Sequence, residues 1–365
     1  PLGQLPRRPL AARQEAEEAT KKQAAYSPKH LAGTETAQTG SLAQTGDRAG
    51  LIGETFVMES DLARLIPLET IGTTQVNTRR TNALPSVGWR KRGERFTGGN
   101  VGYEVVSDAV YHVGAEITID KIDMRDKSPF VNTLAYYTDA HVKAMAYEFN
   151  DKVINGDHAT DEDEPEGLKV RIGNLASSQT VYGVSNGAEL DVRPGTAAAS
   201  TAQALLYKID TAKYALDGHG GGKVIALTNA DFIQALKNAL RVLNIYVDPL
   251  KPSTGINERA TSNTLPSGRS FMWDNIEFID VGPKADQTTP VVGTTTVNSQ
   301  ACRDVYFVKL DTEKYFHGIQ EYPMEISKPF MLDDGLSWRV VIDWPVGFRH
   351  VHPKFASRLL GVRVA

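Results

Sequence analysis

Apolar side chains recur at three- and four-residue steps through Leu134, Tyr137, Met145, Phe149 and Val153, with His141 on the same line. That period is one face of an α-helix and predicts a single long helix over Thr133–Asn155, about twice the usual length. Ser128-Pro129 ahead of it reads as a cap and first-turn pair, or as a turn leading into Asn132-Thr133. Asn155-Gly156 is the expected stop, with the glycine left-handed. Two further amphipathic stretches predict helices: Ser200–Asp217, with Leu205, Ile209, Ala212 and Leu216 inward, and Thr228–Asn244, with Phe232, Ile233, Leu236, Leu240 and Leu243 inward. Between them Lys223–Leu227 is a short apolar run suited to a buried strand. Ser60–Ile66 reads as a helical turn that Pro67 stops.

The remaining pattern is that of strands. Thr73–Val110 predicts a long two-stranded excursion: Thr74–Thr78 alternates, Gly98-Gly99-Asn100 supplies a turn, and Val101–Val110 returns with Tyr103, Val105 and Val106. An isolated hairpin is marginal in water, so this one is expected to rest on a partner. Strands are also predicted at Gly114–Asp123, Asn275–Asp280, Val305–Leu310, Tyr322–Phe330 and Leu336–Trp344, with the chain closing near Pro353–Ala356. Residues 249–268 and 286–300, rich in Gly, Pro, Ser, Thr and Asn, read as long loops. No internal repeat is evident, and the fold class is α+β.

Composition changes the picture mainly at the front. The chain has 365 residues and 41% apolar content, enough for a sizeable core. Its first fifty residues, however, carry only Leu2, Leu5, Leu10, Tyr26, Leu31 and Leu42 as large apolar side chains. Such a segment cannot offset its own ordering entropy, and is expected to be an arm lying across another subunit. One cysteine, Cys302, excludes an intrachain disulfide and reads as a small buried hydrophobe. No run approaches the length of a membrane span and Pro1–Leu10 lacks an apolar signal core, so the expectation is a soluble, cytoplasmic protein without membrane partners. A net charge of -4 gives no overall attraction to polyanions.

Charge placement is more informative than charge balance. The outbound side of the hairpin carries Arg79, Arg80, Arg90, Lys91, Arg92 and Arg95 against one acid, Glu94. After the long helix, Asp157, Asp161, Glu162, Asp163, Glu164 and Glu166 crowd together ahead of the turn Pro165-Glu166-Gly167-Leu168. Their spacing lacks the alternating ligands and central Gly of a calcium loop. The basic cluster is expected to be a solvated or intersubunit face, and the acidic one a solvated or salt-bridged face. Gly183-Val184-Ser185-Asn186-Gly187 matches a nucleophile elbow and His219-Gly220-Gly221-Gly222 an oxyanion-hole string. In a hydrolase the string precedes the elbow and the elbow joins a strand to a helix, and neither condition holds. Gly218–Lys223 has Asp217 where a phosphate loop needs its first glycine. His350-Val351-His352 alternates as on opposite faces of a strand, and His141 reads as a packed side chain. No catalytic constellation, cofactor or small-molecule substrate is implied.

Taken in order, the polar arm Pro1–Gly50, the hairpin Thr73–Val110, the strand and long helix Gly114–Asn155, the Pro165–Leu168 turn, the α+β block around Lys223–Asn244 and the terminal strands resemble one family. It is the major capsid proteins of tailed bacteriophages, with the Hong Kong 97-like fold. The resemblance covers nearly the whole chain in organisation, though its motifs are weak as strings. It implies an N-terminal arm (1–60), an extended hairpin or E-loop with its lead-in (61–112), a peripheral domain with a spine helix (113–169), a mainly axial domain (170–304) and return strands (305–365). It also implies a structural shell subunit of a virion, not an enzyme, assembled in the host bacterial cytoplasm. Its partners would be many copies of itself in pentamers and hexamers, double-stranded DNA enclosed without sequence preference, and scaffold, portal and decoration proteins. The basic residues Arg79, Arg80, Arg90, Lys91, Arg92 and Arg95 and the acids Asp161, Glu162, Asp163 and Glu164 are the candidate intersubunit contacts. The alternatives are an encapsulin-like nanocompartment shell, disfavoured by so long an arm, and a serine hydrolase using Ser185.

Overall fold

The computed structural model describes residues 60–96, 98–125, 133–173, 179–184, 189–195, 198–216, 222–245, 270–312 and 314–364. The expected arm, Ser128-Pro129, Ser185, the His219–Gly221 string and the loop 249–268 lie outside them. The described chain opens with α1 (Asp61–Leu65), β1 (Leu68–Thr70), β2 (Gln75–Ala83), β3 (Gly102–Ala109) and β4 (Tyr111–Asp120). Helices α2 (Lys121–Arg125), α3 (Thr133–Asn155) and α4 (Leu168–Gly173) follow. Then come β5 (Thr180–Tyr182), β6 (Leu190–Asp191), α5 (Ala199–Ala215), β7 (Lys223–Thr228) and α6 (Ala230–Val242). The remainder is strands: β8 (Ser270–Trp273), β9 (Ile276–Asp280), β10 (Thr294–Val297), β11 (Gln300–Leu310), β12 (Phe316–Gln320), β13 (Glu325–Ile326), β14 (Phe330–Met331), β15 (Ser337–His350) and β16 (Ala356–Arg363).

Strand β11 organises the molecule. It pairs antiparallel with β7 and β16, and meets β12 in parallel at Leu310–Phe316. Successive side chains of a strand point to opposite faces. Val305 and Phe307 therefore enter one core, with Phe232, Leu236 and Leu240 of α6 and Leu205 and Ile209 of α5. Tyr306, Val308 and Leu310 enter the other, with Phe149 and Val153 of α3, Leu168 of α4 and Trp344 and Phe348 of β15. The mixed sheet runs β13-β15-β12-β11-β7-β9-β8, with β4 paired along ten residues of β15. The apolar runs of β7 and β11 are continuous rather than alternating because both of their faces are covered.

Helix α3 packs on β4 and β15, with the Phe149 ring 5.3 Å from Trp344 and 5.6 Å from Phe348. Its buried stripe is Val142, Met145, Ala146, Phe149, Val153 and Ile154. The expected line is thus buried from Met145 onward and packed against the same core at Leu134, while Tyr137 is exposed and His141 half-buried. Gly156 ends the helix without a left-handed φ. Glycine is required there by contact, since a Cβ would collide with the Pro165 carbonyl oxygen and lie 2.7 Å from that of Lys152. The Gly167 N–H donates to the Gly156 carbonyl at 2.9 Å, which pins both ends of the acidic segment together.

Several expected strands differ. Tyr322–Phe330 is no strand: Pro323 and Pro329 lack N–H donors, and only the short β13 and β14 pair with β15. The strand at this position in the sheet is Phe316–Gln320 instead. The strand expected at Gly114–Asp123 begins at Tyr111 and gives way to α2 at Lys121. The loop expected over 286–300 contains β10, and the chain does not close at Pro353–Ala356 but continues into the buried β16.

Candidate assembly surface

Strands β2 and β3 form a separate two-stranded sheet, in register from Gln75–Ala109 to Thr81–Tyr103 and shifted by a bulge before Ala83–Gly102. Its root is fastened to the body by polar groups. Arg80 donates from Nε to the Val351 carbonyl at 2.8 Å and from Nη2 to that of His350. Arg349 donates to Thr78 Oγ1 at 3.1 Å and to Glu69 Oε2 at 3.4 Å. Arg171 on α4 bridges the buried Asp108 at 2.8 Å and the Phe348 carbonyl at 3.0 Å. Burial lowers the pKa of Arg80, with Asp108 opposing and Arg171 assisting. At Gly347 β15 passes so close to β3 that a Cβ would strike the Ala109 carbonyl oxygen.

Beyond the root, the described residues between Ala83 and Gly102 have no strand structure, so Gly98-Gly99-Asn100 lies within a long connection instead of a tight turn. Large apolar side chains stand in solvent here: Val87 is 92% exposed, Leu84 84%, Phe96 67%, and Trp89 fully. Val87, Trp89 and Phe96 line an open concavity together with Arg90, Lys91 and Arg92. Arg90 lies over the Phe96 ring at 4.9 Å and Arg79 over Tyr103 at 4.7 Å, arrangements that hold the guanidiniums in place while leaving them accessible. Glu94 receives the Lys91 N–H at 3.2 Å, a local turn contact. Among the described residues none of Arg90, Lys91, Arg92 and Arg95 forms a side-chain ion pair.

The acids are held differently. Asp157 accepts from the Ala159 N–H and the Thr160 hydroxyl, and Asp161 from the Asp163 N–H, so both brace their own turns. Glu164 pairs with Lys152, which also meets Glu148 at 3.3 Å. Burial would lower the Lys152 pKa, but the hydrogen bond to Glu164 and the charges of Glu148 and Glu164 outweigh it and the net shift is upward. Asp161, Glu162 and Asp163 remain exposed. Of the ten expected contact residues, Arg80 and Glu164 are half-buried and bound by their own chain, and the other eight are exposed, with Arg79, Arg90 and Asp161 also making local contacts. The root cluster of Asp108, Arg171, Arg349 and His350 was missed, because its members are far apart in sequence and form no local motif.

No family model matches the chain, and no curated protein matches it. Solved structures do. The holo-SrpI encapsulin complex from Synechococcus elongatus PCC 7942 superposes with a TM-score of 0.55 at 10% identity, covering 83% of this chain and 88% of that one. The capsid of a native GTA particle gives 0.54 at 11% identity, covering 84% and 91%. The chain adopts the Hong Kong 97-like capsid fold. Mycobacterium phage Bobi gives 0.51 at 12% identity, with 84% and 91% covered. In the terms of that fold β2–β3 with its connection corresponds to the extended loop and α3 to the spine helix, and the exposed basic and apolar side chains lie on that loop.

Proposed function

We propose that this chain is a shell subunit, the major capsid protein of a tailed double-stranded DNA bacteriophage, which assembles into pentamers and hexamers of an icosahedral head. The carrying observation is the hairpin end. Val87, Trp89 and Phe96 line one open concavity in solvent, with Leu84 also exposed, on a segment that buries almost nothing of itself, and exposed apolar surface of this kind marks a docking site. A capsid fold supplies the neighbour that would cover it. In this reading the arm spans 1–60, the peripheral domain 113–169, and the axial domain most of 170–304.

The partner surface we assign is the exposed acidic segment, Asp161–Asp163, of an adjacent copy, facing Arg90, Lys91, Arg92 and Arg95. Reversing the charge of Arg90, Lys91 and Arg92 together should abolish closed particles in negative-stain images while leaving the circular dichroism of the subunit unchanged. Normal particles from that variant would refute the pairing. An encapsulin-like compartment is the second reading, favoured by the SrpI likeness. Nuclease-resistant DNA in particles purified from the native source supports the phage head; particles carrying enzyme cargo and no genome support the compartment. A monomer under all assembly conditions would remove both.

A further inference from the structure

His350 ends β15 and is 2% exposed, and its Nε2 is buried without a hydrogen-bond partner. Its own carbonyl is the one that Arg80 clasps from the hairpin. Two residues earlier, Phe348 offers its carbonyl to Arg171, which also holds Asp108. The charged groups that act on the ring are Arg171 from α4, Arg80 from β2 and His352 from its own segment, while Asp108 and Glu104 of β3 and Glu166 ahead of α4 act on Arg80. Strand β12 presents Phe316, its ring centroid 6.2 Å from that of the imidazole. On the opposite face of the sheet His317, paired with Arg349 in register, sits 3.1 Å from Glu69.

We propose that His350 is a pH-sensitive latch for the hairpin root: its protonation adds a positive charge to a buried site where Arg80 and Arg171 already grip the backbone of β15, and the charge is relieved when the root detaches from β15. The hairpin yields before the sheet does, since β2 and β3 pair only with each other while β15 is laddered to β4 and β12. Burial first, then the charges of Arg171, Arg80 and His352, hold the imidazole pKa well below the ordinary value of 6.5 in the closed state. An open, solvated root returns it to about 6.5. The closed state is thus fully favoured above that pH and loses ground as pH falls below it. His317 is also lowered by burial, but Glu69 opposes this and its share is smaller.

Hydrogen exchange of the full-length protein between pH 7.5 and 5, corrected for the intrinsic pH dependence of amide exchange, tests the latch. The amides of β2 and β3 are expected to lose protection by about tenfold per pH unit below about 6.5, while those of α6 and β7 hold. His350→Gln should flatten that dependence. No loss, a loss shared equally by α6, or the same loss in His350→Gln would overturn the proposal. If the Gln variant does not fold, exchange at Cε1 of His350 in the unaltered protein decides: a midpoint well below about 6.5 supports the latch and one at or above it refutes it.

Discussion

Gly156 and Gly293 are both glycines outside the left-handed region, yet they should respond oppositely to one methyl group. At Gly156 the added carbon meets backbone oxygens of Pro165 and Lys152, which cannot step aside without reopening the seal with Gly167. Gly156→Ala should cost about 1–3 kcal/mol as overpacking, read as a lower urea midpoint. Gly293 has open space around it, and its alanine variant should stay within about 0.5 kcal/mol of the parent. The same reasoning separates buried from exposed charge. Asp304, 3% exposed, accepts from Arg358 at 2.5 Å and Thr295 at 2.7 Å. Asp304→Ala leaves that guanidinium buried and unpaired and should cost about 3–5 kcal/mol, whereas removing Asp163 should barely change subunit stability. An equal effect of the two would mean that Arg358 finds another partner.

Elements were legible in the sequence wherever one face alone is buried or the apolar run is uninterrupted. Helix α6 matches its expected stripe through Phe232, Ile233, Leu236 and Leu240 because a single core receives it. The hairpin was legible from the alternation of Thr74–Thr78 and the return through Tyr103 and Val105. Strand β16 was not, since Ser357 and Arg358 interrupt its apolar pattern and their burial depends on Ala212 and Asp304, far away in the chain. The candidate surface divided in the same way: the basic and acidic clusters could be seen as runs, while the root that aims the hairpin could not. Deleting residues 87–96 should therefore leave subunit unfolding within about 0.5 kcal/mol of the parent, as expected of surface changes, and remove assembly. A collapse of subunit stability would show that the tip packs on its own chain.

At the scale of the whole molecule, β11 belongs to both cores at once, and this bears on how the subunit can fail. The layer of α5 and α6 reaches the layer of α3 and α4 through alternate side chains of one strand, Phe307 on one side and Tyr306 and Val308 on the other. Loss of either core strips one face from β11, and with it the strand that β7 and β16 pair against. The two cores should therefore unfold together, in one transition reported alike by probes in α3 and α6. Phe307→Ala, a cavity costing about 3–5 kcal/mol, should lower both probes by the same amount although it opens only one core. The hairpin stands apart from this unit, tied by Arg80, Arg349 and Arg171 and covered, in the shell reading, by a neighbour. Its stability should then depend on subunit concentration while that of the cores does not, because anything that binds only the docked form stabilises it by mass action. Dilution below the assembly threshold should deprotect the amides of β2 and β3 and leave α6 unchanged. Protection of the hairpin that is independent of concentration would place its stability wholly within the single chain.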